Sequence, residues 1–135
     1  RLQNFGFIYQ SFNLLEDFNA LENVAMPLII RGVEKSESYK LASNMLKLFN
    51  LDHREGHYSN ELSGGEQQRV AIARAVITKP KIIIADEPTG NLDKENSTQV
   101  LDFLFKSIEK DKITLIMATH NEEIASKAAK RVNLE

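Results

Sequence analysis

Pro80 and Lys81 are followed by Ile82-Ile83-Ile84-Ala85 and then by two adjacent acids, Asp86 and Glu87. Such a run offers no alternating polar position. It therefore suits a strand buried on both faces, as in a parallel sheet, spanning Lys81 to Ala85. Parallel strands need a crossover of a dozen or more residues. The chain supplies one: Lys94 to Lys110 carries Val100, Leu101, Leu104, Phe105 and Ile108 at inward-facing helical spacing, and Ile113 to Ala118 follows as a second buried strand. Strand, helix, strand at this spacing predicts a right-handed βαβ unit. A short helix is expected over Glu122–Lys130.

The upstream part has a different character. Phe5-Gly6-Phe7-Ile8-Tyr9 is aromatic and β-branched and reads as a strand ending at Gln10. Ser11 to Asn19 reads as a loop. Asn19 with Glu22 three residues later marks a helix start, with Leu21, Val24, Ala25 and Leu28 on one face. Pro27 is expected to kink or interrupt that helix, and Gly32 to stop it. Leu41, Ala42, Met45, Leu46 and Phe49 recur at helical spacing between Ser36 and Asn50. Residues from about 20 to about 78 thus read as mostly helical. A helical insert comes first and the βαβ unit second. No internal repeat is visible.

At 135 residues the chain suits one domain. Its formal net charge of −2 gives no electrostatic reason to expect nucleic acid or acidic lipid as a partner. The absence of cysteine excludes disulfides and thiolate metal sites. Apolar runs such as Ala25–Ile30 and Ile82–Ala85 are too short to span a bilayer. The chain opens at Arg1, without Met and already close to a strand, so further sequence is expected upstream.

Three features carry chemistry. Ser63 and Glu66 form a capping box, placing Ser63 at the mouth of a helix through Val70, Ala71 and Ala75. Gly64 and Gly65 leave the amides at that mouth unshielded, which suits an anion such as a terminal phosphate. The same pattern also suits a glycine-rich loop capping an ordinary helix. Asp86 and Glu87 end a buried strand, at the sheet edge where open α/β folds bind ligands. Side-chain alternation sends them in different directions, so one acid can hold Mg²⁺ while the other orients and deprotonates a water. A solvated strand end is the plain alternative. His120 follows the last strand and reaches the same edge if the two strands are neighbours. There it can hydrogen-bond a γ-phosphate or the surroundings of Glu87. A lone histidine or glutamine after a strand is more often structural or solvated, and this holds for His120 and Gln10 taken singly.

Taken in order, these segments resemble the nucleotide-binding subunits of ATP-binding cassette (ABC) transporters over essentially the whole chain. Gln10 in Phe7-Ile8-Tyr9-Gln10 is similar to the family's Q-loop, and Leu62–Gln67 to its signature motif. Ile82–Asp86 resembles the Walker B strand and Glu87 the catalytic glutamate. Asn91-Leu92-Asp93 resembles the D-loop and Thr119-His120 the switch histidine. Asn121 stands where an acid is more usual, and Tyr9 where Phe is common. The run Ala85–Asp93 resembles the branch that includes lipoprotein-releasing, macrolide-export and cell-division ATPases. Asp17-Phe18, Ala20–Leu28 and Leu51–Arg54 resemble the lipoprotein-releasing members most.

The resemblance implies an α/β P-loop NTPase (ABC ATPase) fold, truncated, with a helical subdomain and a partial parallel sheet. It implies one partial ATPase domain over 1–135, with the Q-loop and helical part at about 11–78 and the Walker B to switch-histidine part at about 79–135. ATP and Mg²⁺ are the implied cofactors. Glu87, His120 and Gln10 are implied as catalytic, and Asp86 and Gln10 as Mg²⁺-binding. Ser63, Gly64, Gly65, Glu66 and Asp93 are implied to meet ATP across the interface of a head-to-tail homodimer. Integral membrane transporter subunits would be the other partners, received near Phe12, Leu14, Leu15 and Phe18, with no nucleic acid. The cytoplasmic face of the bacterial inner membrane is the implied location. No Gly-x-x-x-x-Gly-Lys-[Ser/Thr] occurs in the sequence. Without that loop the β- and γ-phosphates lose their backbone cradle and lysine, so the 135 residues alone are expected neither to bind ATP tightly nor to hydrolyse it. A non-transport ABC ATPase acting on DNA is disfavoured by the compact, cysteine-free insert between Gln10 and Leu62. Taken as a physical fragment, the chain also reads as an interaction module whose sheet edge invites dimerisation.

Overall fold

The computed structural model describes residues 4–133. Three strands form one parallel sheet in the order β1 (Phe5–Tyr9), β2 (Ile82–Asp86), β3 (Thr114–Ala118). Five helices accompany them: α1 (Ala20–Ile30), α2 (Lys35–Leu48), α3 (Gly64–Val76), α4 (Lys94–Lys110) and the one-turn α5 (Glu122–Ala125). Short 3-10 turns at Asp52–Arg54 and Ser59–Glu61 lead into α3. The α/β class, the parallel sheet and the helical segment between β1 and β2 all match the expectation. Tyr9, Asp86 and Ala118 stand side by side at the last paired register, so the three strands leave the sheet at one edge.

The sheet has one covered face. Ile8, Ile83 and Ala85 are buried on it, and Gly6 passes so close under α3 that a Cβ there would lie 3.0 Å from the Ala75 carbonyl. On the other face the rings of Phe5, Phe7 and Tyr9 stack in a row along the strand. Ile82 and Ile84 are half-buried there and Ile116 is 54% exposed. The expectation that β2 and β3 are buried on both faces is therefore corrected. Among the described residues helices pack on one side only, and no residue of β3 itself is fully buried.

Helix α3 is the centre of the molecule. Val70, Ala71, Ile72 and Ala73 are all fully buried, because α1, α4 and β1 surround it. Four consecutive buried residues take in most of a helical turn, so this stretch of α3 lies in the interior. The capping boxes at Asn19 and Ser63 form as the sequence indicates. Pro27 does not interrupt α1, which runs on to Ile30. It forgoes the single helical bond its missing N–H would make. Val24, Ala25 and Leu28 on either side of it are buried. Gly32 stops the helix with φ +91°. Asn23, fully buried, accepts from the Leu15 N–H at 2.8 Å and donates to the Leu15, Phe18 and Asn19 carbonyls, which shapes the loop before α1.

Two smaller expectations change. Phe103, rather than Phe105, joins the core of α4, stacking on Phe49 with ring centroids 5.2 Å apart. The terminal helix stops at Ala125 and gives way to turns, short of the expected Lys130.

Candidate functional site

Because β1, β2 and β3 are parallel and in register, Gln10, Asp86-Glu87 and Thr119-His120 all emerge at the same edge. Asp86 ends β2 with an exposed carboxylate that has no hydrogen bond or ion pair to another described residue. Glu87 adopts φ +45°, a left-handed conformation uncommon outside glycine and often found at functional sites. Its N–H donates to the Ala118 carbonyl at 2.8 Å, which anchors the turn to the end of β3. Its carboxylate accepts from the His120 N–H at 2.7 Å and also touches His120 Nδ1. The His120 side chain is 98% exposed and that of Glu87 20%. So exposed a pair adds little to stability, yet the imidazole remains reachable from outside.

Gln10 is fastened to the loop after β2. Its Nε2 donates to Asn91 Oδ1 at 3.1 Å, and Asn91 Nδ2 donates back to the Gln10 carbonyl at 3.1 Å. Gly90 lies directly beneath: a Cβ there would stand 2.6 Å from Gln10 Nε2.

A second group gathers at the mouth of α3. Ser63 Oγ accepts from the Glu66 N–H at 3.2 Å, and Glu66 Oε1 accepts from the Ser63 N–H at 2.9 Å. The other Glu66 oxygen accepts from Arg54 Nε at 3.1 Å. Asp93 caps α4 by accepting from the Asn96 N–H at 2.8 Å. The two helix mouths adjoin: a Cβ on Gly65 would lie 2.4 Å from Asn96 Oδ1, and one on Gly64 3.3 Å from Leu92. The bare glycines thus have an internal use, letting the start of α4 approach, beside the anion-binding use read from the sequence. Sequence reasoning missed Arg54, which nothing local marks, and Arg74. Arg74 donates to the Asn13 carbonyl at 2.9 Å and the Phe12 carbonyl at 3.2 Å, holding the loop after β1. A lone cation in the buried run from Val70 to Val76 was its only signal.

Partial burial works against the charged form of Glu66, but the Ser63 amide and the Arg54 guanidinium outweigh it and hold the carboxyl below its ordinary value of 4.5. A lowered value in the folded state contributes stability above 4.5 that is lost as pH falls through the lower, folded value. Urea unfolding should therefore find the wild-type chain more stable than Glu66→Gln near neutrality. The gap should close progressively under acid. A gap that stays constant down to strongly acidic pH would show that Glu66 acts without its charge.

Among the described residues no cluster of three His, Cys, Asp or Glu side chains could hold a metal alone. No helix there is long and apolar enough to cross a membrane.

Known proteins are similar to this chain in sequence and in fold. The chain is 50% identical over all of its 135 residues to the lipoprotein-releasing system ATP-binding protein LolD of Rickettsia typhi, and covers 61% of that protein. It is 48% identical over 126 residues to the ABC transporter ATP-binding protein YtrE of Bacillus subtilis, covering 93% of this chain and 54% of that one. Among solved structures it is similar to the dimeric ATP-binding cassette MJ0796 in a post-hydrolysis state with ADP and Pi. That match has a TM-score of 0.77 at 41% identity, over 90% of this chain and 54% of that one. The chain therefore spans about three-fifths or less of the length of these relatives. The ABC transporter family model matches residues 1–90, from β1 through the turn that carries Glu87. An edge of acids and a capped glycine pair, set in this sheet and matched over two-thirds of the sequence, leave one assignment: the chain belongs to the ABC transporter family.

Proposed function

We propose that the chain is part of the ATP-binding and ATP-hydrolysing subunit of an ABC transporter that powers lipoprotein release from the bacterial inner membrane. The observation that carries the hydrolytic reading is Glu87, held in a left-handed turn at the sheet edge with its carboxylate on His120. Glu87 takes the proton from an attacking water, and His120, exposed beside it, meets the terminal phosphate. Asp86 fits a Mg²⁺ site, since this ion is usually held by one or two carboxylates together with phosphates and waters. One unpaired carboxylate is what the edge presents. When bound, Mg²⁺ neutralises charge on the transferred phosphoryl group. Gln10 lines the same edge and carries its state to the helical part, at about residues 11–78.

Ser63, Gly64, Gly65 and Glu66, with Asp93, serve a nucleotide held by a second copy arranged head to tail. The MJ0796 cassette, described as dimeric with ADP and Pi, supports this pairing. The phosphate loop that this sequence does not contain belongs to the longer protein, so the 135 residues by themselves neither bind ATP tightly nor turn it over. Membrane subunits dock near Leu15, and the motor sits on the cytoplasmic face of the inner membrane.

Lipoprotein as the cargo rests on the 50% identity to LolD along the whole chain. The run Ala85–Asp93 carries a second reading, a macrolide-export or cell-division type ATPase of the same branch, and the 48% identity to the ABC transporter ATP-binding protein YtrE supports a cargo other than lipoprotein no less than it supports the branch. The full-length protein copurified with its membrane subunits should transfer a labelled inner-membrane lipoprotein to a soluble carrier when given ATP. ATP turnover with no lipoprotein transfer would move the assignment to the second reading.

A further inference from the structure

The ladder between β1 and β2 ends at Tyr9 and Asp86, and the two chains part there toward Gln10 and Glu87. One side chain from another element bridges the gap. Gln68, in the second turn of α3, is fully buried. Its Nε2 donates to the Tyr9 carbonyl at 3.0 Å and also to the Pro88 carbonyl. Tyr9 immediately precedes Gln10, and Pro88 immediately follows Glu87. Both partners are acceptors, so only the NH₂ side of the amide can face them, and its two hydrogens match the two carbonyls. Gln68 Oε1 is buried without a hydrogen-bond partner among the described residues, so the two donated bonds carry what the side chain contributes.

We propose that Gln68 is a positioning residue for hydrolysis. It holds the Gln10 and Glu87 segments in register with each other and with the helix whose mouth is Ser63. The proposal rests on the ATPase reading above. Ser63 and Gln68 lie five residues apart on the same helix, nearly one and a half turns or about 7.5 Å along its axis at ~1.5 Å per residue. Displacement of the α3 mouth is thereby delivered to both catalytic segments of the same subunit through one amide. Arg74, one and a half turns further on, ties the same helix to the loop after Gln10. Side chains on Gln10 and Asn91 link only the exposed surface of that junction. Gln68 links its interior, where water cannot replace a lost donor.

The test uses the full-length protein and two variants. Gln68→Met keeps the volume and removes both donors. We expect kcat for ATP to fall about 10- to 100-fold, as small misplacements of reacting groups do, with KM within about threefold of wild type and the thermal midpoint lowered by a few degrees, because the Pro88 carbonyl loses its buried donor. In Gln68→Glu, burial among carbonyls favours the protonated carboxyl, which supplies one of the two bonds. Its activity relative to wild type should therefore rise as pH falls from 9 to 6, whereas that of Gln68→Met should keep a constant ratio. Wild-type kcat in folded Gln68→Met overturns the proposal. If Gln68→Met does not fold, the pH ratio of Gln68→Glu decides: a rise supports the proposal and a flat ratio overturns it. A wild-type protein that turns over no ATP removes the ATPase reading and this proposal together. Wild-type turnover unchanged by Gln68→Met removes this proposal alone.

Discussion

Glu87→Gln in the full-length protein is expected to lower kcat for ATP hydrolysis by about a hundredfold to ten-thousandfold while nucleotide binding stays within about threefold. The amide has nearly the shape of the carboxylate. Its oxygen can still accept from the His120 N–H, now at 2.7 Å, so the turn that starts at Glu87 keeps its anchor. The backbone bond from Glu87 N–H to the Ala118 carbonyl is unaffected by the change. What the glutamine cannot do is accept a proton from water. Asp86, the Ser63 mouth and Gln10 are untouched, so the parts proposed to hold nucleotide and metal remain in place. Steady-state turnover together with equilibrium binding of a labelled nucleotide separates the two effects. Turnover near the wild-type level would show that Glu87 is not the base, and the edge would need another reading. Loss of binding with loss of turnover would instead place Glu87 among the nucleotide or metal contacts.

Much of this edge was legible in the sequence because its signals are local. Ser63 with Glu66, and Asn19 with Glu22, meet within one helical turn, so a capping box can be recognised from spacing alone. The Ile82–Ala85 run announces a strand in a parallel sheet, and parallel pairing then brings Asp86, Glu87 and His120 to one edge without further information. The failures concern what lies across the fold. Whether Ile116 is covered depends on which helices reach that face, and α3 and α4 pack on the other one. Pro27 obeys local preference only in part, because the buried residues around it keep α1 helical to Ile30. Phe103 and Phe105 flank the apolar stripe of α4 on opposite sides, so periodicity does not choose between them, and Phe49, just after α2, does so. The bonds from Gln68 to Tyr9 and Pro88, from Arg74 to Phe12 and Asn13, and from Arg54 to Glu66 join residues 12 to 62 positions apart. Such distances leave no trace in a short motif. The residue types at the candidate site were therefore readable, whereas the scaffold that aims them was not.

The largest expected loss of stability lies in that scaffold. Ile72→Ala should destabilise the chain by about 2–5 kcal/mol, a large part of the roughly 5–15 kcal/mol that holds a typical domain together. Ile72 is fully buried in α3, with Val70, Ala71 and Ala73 equally buried around it. The helix meets α1 and α4 as well as β1, so a cavity there is bounded by several elements that cannot all close upon it. Alanine keeps the helix propensity high, which leaves packing as the cause of the loss. Ile30→Ala supplies the contrast: Ile30 is 76% exposed at the end of α1, and its loss should shift stability by no more than about 0.5 kcal/mol. Urea unfolding of both variants beside the wild type measures the difference directly. Equal, small shifts would mean that α3 is not the helix on which the fold depends. A large shift for Ile72 alone would place the fold's main support in the same helix that carries Ser63 at its mouth and Gln68 against the catalytic segments. Damage to packing at Ile72 should then lower turnover in the full-length protein even at temperatures where the protein remains folded, because the amide of Gln68 moves with its helix.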